Sequence, residues 1–516
     1  MKFQNPILPG FHPDPSICRV EDDYYLVTSS FEYFPAIPVF HSKDLIHWEE
    51  IGHCITRPEQ ISLRKGIPSS TGIYAPTIRY HEGCFYVITT NVTYGQKPEG
   101  NFLIWTDNIH DPDSWSDPVY IDMPGIDPSL LFDDGHVYYT GAAEGKIIFC
   151  EIDITTGKRI GDARFLWEGT GGNDPEGPHL YKINGWYYLM ISEGGTELGH
   201  MVTIARSRSL EEPFHACPEN PILSNRSRGT EIKATGHADL FCDHEGNWWA
   251  VCLGIRCIAY PFKHNLGRET MLMPVSWDKN EWPVMASNSI LKVAYEMPSF
   301  ASVSHSIPDN RLVGTKEFYD DFTDDELYPS WNFICEQPDA DHLSFLNNEE
   351  KRGLLLKPNS AMIGAPKNLT WMGRRQEHHE CTVRTKLTAS LQKSGDEAGL
   401  TVYLNHKHHY EIALSNIEGT LYILFRRQIG SLVATEHMEA VPFDTITLEL
   451  KATKEMYSFS YSIDGEHFFP IGKGECSYLT TEVGGFFTGN YIGLYAGSPS
   501  KKTASYAVFE YFHYKA

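Results

Sequence analysis

The first 300 residues alternate short apolar or aromatic runs with polar turn residues, and few windows carry the 3.6-residue period of an amphipathic helix. Five stretches share one pattern: a small or polar start, a short apolar run, a turn, then an aromatic run. They are DPSICRVEDDYYLV from Asp14, APTIRYHEGCFYVI from Ala75, DPSLLFDDGHVYYT from Asp127, GPHLYKINGWYYLM from Gly177 and HADLFCDHEGNWWAV from His237. The turns fall at Asp22-Asp23, Glu82-Gly83, Asp134-Gly135, Asn184-Gly185 and Glu245-Gly246. Asn-Gly and Asp-Gly pairs supply the positive φ angles of tight turns, so each stretch predicts an antiparallel hairpin. The starts recur every 50 to 61 residues. That period holds about four strands with their loops, and five copies predict a five-bladed β-propeller over residues 1–300. Two β-sandwiches with similar hairpins are the competing arrangement.

Residues 301–316 carry no strong pattern and predict a linker. Beyond them, over 317–516, YDDF at Tyr319, TITLELKA at Thr445, YSFSYSIDGEHFFPIG at Tyr457 and YAVFEYFHY at Tyr506 alternate with period two, and Asp464-Gly465 marks another hairpin. Half-buried antiparallel strands of this kind predict a β-sandwich. The whole chain is therefore all-β, with two domains.

Composition narrows the function. The 516 residues carry 43 Lys and Arg against 67 Asp and Glu, a net charge of −24. That balance argues against nucleic acid or anionic lipid as partner, because polyanion binding draws on clustered cations. The N-terminal MKFQNPILPGFHPDPS has no apolar core of a signal peptide, and no window approaches a spanning helix, so a cytoplasmic location is expected. Eleven cysteines contain no CxxC pair; Cys252 and Cys257 sit in an apolar run as buried thiols rather than zinc ligands.

In a propeller the repeat starts converge around the central axis. Those positions hold Asp14, Ala75, Asp127, Gly177 with Glu176 before it, and His237. A cap needed by every blade would recur in all five; here the pattern repeats while this position varies. Three carboxylates crowded at one mouth repel one another, which suits either a bound cation or acid–base chemistry in which one group stays protonated. Glycoside hydrolysis uses the second arrangement: one carboxylic acid protonates the leaving oxygen and a carboxylate activates water or attacks carbon. The plain alternatives are turn caps at Asp14 and Asp127 and a surface turn at Glu176.

The chain resembles glycoside hydrolase family 43, in its β-xylosidase and α-L-arabinofuranosidase branch with a C-terminal, concanavalin-like β-sandwich. The resemblance is carried by NPILPGFHPDPSICRVEDDYYLVTSSFEYFPAIPVFHSKDLIHW, GIYAPTIRYH at Gly72, GIDPSLLFDDG at Gly125 and EGPHLYKINGWYYLMISEGGT at Glu176. GHADL at Gly236, LGRETMLMPVSW at Leu266 and FFTGNYIGLYAG extend it to nearly the whole chain. It implies an inverting enzyme in which Asp14 is the general base, Glu176 the general acid and Asp127 the residue that tunes and orients that acid. It further implies that Arg268 contacts substrate, with an ion pair to Glu269 as the plain alternative. Phe31 and Phe487 would line the sugar subsite, Phe486 competing with Phe487 for that role, and Tyr74 would be a stacking wall unless it is core. His237 matches a histidine that faces a solvent or structural calcium site in parts of the family; no metal or other cofactor is taken as required. His378-His379 and His406, His408 and His409 show no ligand pattern, and the latter three are expected to face solvent from a turn of the sandwich.

The resulting expectation is an exo-glycosidase releasing xylose from the non-reducing ends of short β-1,4-xylo-oligosaccharides. An α-L-arabinofuranosidase, or an enzyme with both activities on arabinosylated oligosaccharides, is the alternative. A non-catalytic sugar-binding propeller is a minor alternative. An invertase-like enzyme would need a WMNDPNG-type segment where this chain has HPDPS. By resemblance, the protein is a homo-oligomer, dimer or tetramer.

Overall fold

Each of the five repeats folds as its own antiparallel sheet. In this computed structural model, which describes residues 1–63, 67–93, 100–302, 305–347, 352–366, 369–485 and 487–516, the first sheet comprises Ser16–Val20, Asp23–Val27, Ala36–Ser42 and Glu49–Ile55. The later sheets, whose first full strands begin at Thr77, Ile126, Glu176 and Ile232, follow the same up-and-down order, each strand paired with the next; in the second, the short Gly72–Ile73 also pairs with Cys84–Val92. The first strands of successive sheets touch, and that of the fifth sheet, Ile232–Cys242, returns to Ser16–Val20 of the first. A small pairing of Lys2–Gln4 with Ala294–Glu296 joins the start of this ring to its end.

The predicted turns at Glu82-Gly83, Asp134-Gly135 and Asn184-Gly185 all form, with both residues of each pair at positive φ. Two turns differ. The first lies at Glu21-Asp22, one residue earlier than expected, because Asp23 opens the next strand, where its carboxylate takes a 2.6 Å hydrogen bond from His41. The fifth is a longer loop, Asp243 to Asn247: the Asp243 carboxylate accepts the backbone N–H groups of Glu245 and Asn247 and the indole N–H of Trp249.

One buried network ties the inner strands together. Arg79 of the second sheet donates to Asp239 of the fifth at 2.9 and 3.3 Å and to the ring nitrogen of His179 in the fourth at 2.9 Å. Asp239 also accepts the hydroxyls of Ser16, from the first sheet, and Tyr181. Burial pushes the Asp239 carboxyl up, but Arg79 outweighs it and holds the group well below the usual carboxylate range. His179 is driven down to about 3 by burial, so it accepts from Arg79 as a neutral ring.

The segment 301–316 is not a free tether. Where it is described, it lies on the first sheet: Leu312 bridges Glu49, and the Val313 N–H donates to the Trp48 carbonyl. Glu317–Asp320 then begins the second half. There an eight-stranded sheet, with Cys381–Ser390, Thr445–Ala452 and Tyr506–Lys515 at its centre, faces a six-stranded one built around Glu397–Asn405 and Tyr491–Gly497. Leu387, Leu448 and Phe509 of the first meet Leu400, Ile412 and Leu494 of the second in one apolar core, the layering of a β-sandwich.

The two halves share a further core. Tyr33 stacks on Tyr491 with ring centroids 4.1 Å apart, and Phe11, Phe31, Trp371 and Tyr403 join the cluster. Tyr33–Phe34 pairs with Phe333–Ile334, and Arg375 donates to the Phe11 carbonyl at 2.8 Å.

The expectation for His406, His408 and His409 is corrected. The turn is His406-Lys407, whereas His408 and His409 open the strand His408–Ile417 and are buried. His409 stacks on Tyr403, and its Nδ1 lies 3.2 Å from the Asn405 carbonyl, so the strand's alternation carries it inward. Of the two cysteines, Cys252 is fully buried and Cys257 half-buried, and all eleven are free thiols. No helix among the described residues is long and apolar enough to cross a membrane.

Removing one partner of a buried ion pair strands the other charge, at a cost of about 3–5 kcal/mol. Asp239→Ala is expected to lower unfolding stability by that amount in urea titrations, and the double change Arg79→Met with Asp239→Leu to recover part of it.

Candidate active site

The repeat starts do more than converge. Asp14, Asp127, Gly177 and His237, at equivalent positions, all adopt left-handed backbone with φ of 54°, 53°, 55° and 48°. Asp127-Pro128, Gly177-Pro178 and His237-Ala238 fall where the strand register slips, so the third, fourth and fifth repeats begin with a bulge. A non-glycine residue held there is strained by about 1–3 kcal/mol, a cost that clusters at functional sites. Gly177 is needed on two counts: its φ, and the His237 imidazole, which stands 3.0 Å from where a Cβ would sit. With Gly177 filling the bulge, the acidic side chain of this repeat comes from Glu176.

Asp14, Asp127, Glu176, His237, Arg268, Phe31, Tyr74 and Phe487 line one inner cavity, together with Ala75, Ile126 and Thr196. Every candidate named from the sequence that the structure describes is brought there; Phe486 lies outside the described residues. Glu176, Ile126, Thr196 and Phe487 also line a wider vestibule of about 700 Å³. Asp14 and Asp127 face the inner cavity alone. Glu176 stands at the junction, its side chain 19% exposed.

Asp14 is bound from two sides. Arg268 Nη1 donates to its Oδ1 at 2.7 Å and Ser29 Oγ to its Oδ2 at 2.6 Å, while His237 Nδ1 lies 3.7 Å from Oδ1. Burial raises this carboxyl, yet Arg268, His237 and Ser29 together hold it below its ordinary value. Asp14 is therefore ionised near neutral pH. Asp127 is pushed up by burial and by the negative charge of Asp14, against the pull of His237 and of the Gly177 N–H that it accepts at 3.2 Å. Glu176 is pushed well above its ordinary value, first by burial and then by Asp127 and Asp14. One cavity thus holds a carboxylate kept charged and a carboxyl group pushed toward its neutral, proton-bearing form.

The ion pair weighed between Arg268 and Glu269 does not form. Glu269 instead takes two 2.7 Å bonds from Arg256, and Arg268 goes to Asp14 and to Thr196 Oγ1. Its guanidinium lies 5.7 Å from the Phe31 ring and 5.5 Å from that of Phe487, and those rings are 5.6 Å apart. The Arg268 Nε is buried without a partner. Tyr74 packs against both rings and lines the cavity as well.

The residues match a known family over most of the chain. The model of glycosyl hydrolases family 43 fits residues 3–283, and that of the β-xylosidase C-terminal concanavalin A-like domain fits 319–515. The chain belongs to family 43. A non-reducing end α-L-arabinofuranosidase of Bacteroides ovatus is 38% identical across 99% of this chain and 94% of its own. A xylosidase/arabinosidase of Butyrivibrio fibrisolvens is 36% identical across 98% of each. The crystal structure of a xylan β-1,4-xylosidase from Bacillus halodurans, 30% identical, covers both chains fully with a TM-score of 0.91. This enzyme is accordingly a glycoside hydrolase of an inverting family, with a propeller followed by a concanavalin-like sandwich. Membership decides against the invertase-like and binding-only alternatives.

Four residues of this family 43 enzyme's site went unread in the sequence. Ser29 and Thr196 hold Asp14 and Arg268, Ser192 Oγ accepts the His237 N–H at 2.5 Å, and His200 Nδ1 lies 3.7 Å from Glu176. Serines and threonines are too common to stand out, although Thr196 follows Gly194-Gly195, a pair that marks a loop. His200 packs face-on against Gly236, where any Cβ would overlap its ring, and burial drives it down to about 3. Among the described residues no three His, Cys, Asp or Glu side chains are arranged to hold a metal ion.

A general acid works only while protonated, so activity falls as pH rises through its pKa. Asp127→Asn removes a negative neighbour that raises Glu176, so the alkaline limb of kcat/KM is expected to move to lower pH. Arg268→Ala removes the cation that lowers Asp14, so the acidic limb is expected to move upward; pH–rate profiles on an aryl glycoside measure both.

Proposed function

We propose that this enzyme removes single xylose units from the non-reducing ends of short β-1,4-xylo-oligosaccharides, with Asp14 as general base, Glu176 as general acid and Asp127 as the residue that tunes and orients the acid. The observation that carries this reading is the place of Glu176, between an inner cavity and a wider vestibule. A sugar in the inner cavity and its leaving group in the vestibule would put the glycosidic oxygen beside Glu176. Charged Asp14, inside the cavity, would take a proton from the attacking water, and Glu176 would give one to the departing oxygen. Water attacks the face opposite the leaving group, so the product is inverted and no sugar–enzyme bond forms.

The other roles follow from the contacts. Arg268 keeps Asp14 ionised, and its orphaned Nε is a donor for a sugar hydroxyl. Phe31, Tyr74 and Phe487 supply an apolar wall for the face of the ring. Through the Gly177 N–H, Asp127 holds the backbone beside Glu176.

A second reading is α-L-arabinofuranosidase activity, alone or beside the first. It is favoured by the Bacteroides and Butyrivibrio relatives, one named an arabinofuranosidase and the other a xylosidase/arabinosidase. Comparing kcat/KM on aryl β-D-xylopyranoside and aryl α-L-arabinofuranoside separates the two. Assembly as a dimer or tetramer is part of the proposal, checked by light scattering.

Each acid–base group contributes about 10²–10⁴ in rate. Asp14→Ala is expected to lower kcat by at least about 10² on any glycoside. Glu176→Ala is expected to do so on xylobiose but less on substrates with good leaving groups, which need little protonation. Proton NMR of the first product is expected to show α-xylose from a β-xyloside. Undiminished turnover in Asp14→Ala, or β-xylose as first product, overturns the assignment.

A further inference from the structure

A second large cavity, of about 650 Å³, lies apart from the carboxylates, where the fifth sheet of the propeller meets the sandwich. Lys233 and Arg256 reach it from that sheet, Lys316 from the segment joining the domains and Lys454 from a turn of the sandwich. In a chain with a net charge of −24, four cations on one cavity run against the general trend. Two are already engaged: Arg256 by Glu269, and Lys233 by the Arg228 carbonyl. Lys316 and Lys454 make no ion pair among the described residues. The acidic side chains of the lining, Glu231 and Glu380, are exposed, and the last residue, Ala516, also lines the cavity, its N–H donating to the Lys316 carbonyl at 2.8 Å.

The wall between these lysines carries His379. It is only 7% exposed, and neither ring nitrogen has a hydrogen-bond partner. Burial, and then the charges of Arg256 and Lys454, push it down to about 3, so it is a neutral ring with one N–H and no acceptor. His378 beside it is pushed down to about 4 by burial, Arg256 and Arg374. A buried donor left unpaired in a native fold needs an explanation, and charge-assisted bonds to an anion are the strongest available. The lining also includes Ile258 and the ring of Phe262, over which the Lys233 ammonium sits 4.9 Å from the centroid. Its size and its mix of apolar surface with a few convergent polar groups are those of a small-molecule site.

We propose that this cavity binds a small molecule bearing a carboxylate or a phosphate, its oxygens held by His379, Lys316 and Lys454 and its body against Phe262. Phe262 also lines the vestibule of the active site, so the two cavities share a wall. Nothing in the hydrolytic reaction uses these residues.

Isothermal titration of the full chain with inorganic phosphate and with D-glucuronate, at constant ionic strength, tests the proposal. Saturable binding at one site per chain is expected, about tenfold weaker in Lys316→Gln and in Lys454→Gln and lost in the pair. Both lysines are exposed and remote from the carboxylates, so unchanged hydrolysis of an aryl glycoside verifies that the paired variant is folded. His379→Asn is expected to weaken binding as well. Tighter binding of glucuronate identifies a sugar acid as the class of ligand, and tighter binding of phosphate a phosphorylated one. Absence of saturable binding up to tens of millimolar, or binding unaltered in the paired variant, overturns the site. Neither result bears on Asp14 and Glu176, which the aryl glycoside reads separately.

Discussion

The Arg79–Asp239 pair is the constraint on which the site depends. The ring is made of separate sheets, and its closing contact is that between its first and last sheets. At its inner ends a single guanidinium from the second sheet meets a carboxylate of the fifth, a histidine of the fourth and a serine hydroxyl of the first. Three of these strands, in the first, fourth and fifth sheets, lead from the repeat starts at Asp14, Gly177 and His237. Asp239 lies two residues beyond His237 on the same strand, and Ser16 two beyond Asp14. Buried charges of this kind add little net stability, but they tolerate few alternative arrangements, because every polar atom must find its partner.

From that frame the site follows as a contest between desolvation and charge. All three carboxyls are drawn out of water, which favours the neutral form of each. Arg268 reverses the balance for Asp14 alone, by contact at 2.7 Å. The two remaining groups then feel Asp14 as a negative neighbour and rise further. A cation on one side of the cluster, helped by His237 and Ser29, divides similar groups into one held charged and others pushed toward the neutral form. The aromatic rings of Phe31 and Phe487 flank that guanidinium and so fix where the division is made.

Much of this was legible in the chain. The hairpin repeats, their spacing and the variable first residue of each repeat point to a ring with its chemistry on the axis, and motif resemblance supplied Arg268 and Phe487 from remote stretches. The bulges were not legible. Asp-Pro-Ser and Gly-Pro-His read as ordinary turn residues, and nothing in their type announces left-handed backbone at a strand start. The offset of Glu176 from the repeat position is a consequence of the same bulge. Polarity misled the reading of His408 and His409, because a histidine run beside a turn looks solvated until the strand it opens is covered on both faces, His409 against Tyr403 and His408 against Gly484. Ser29 and Thr196 act through geometry that only the folded chain creates. His379 shows the same limit, since its isolation comes from three segments meeting around it.

Phe487 comes from the sandwich, yet it closes the side of a cup whose carboxylates all belong to the propeller. During synthesis, the ribosome delivers Asp14, Asp127, Glu176 and Arg268 long before it delivers this ring. On the proposed mechanism, a nascent chain therefore owns every proton-transfer group while still lacking one wall of the chamber in which to use them. If that wall is needed, turnover would begin only with the final strands, and its appearance in a translating extract would serve as a clock for the docking of the last-made part of the molecule.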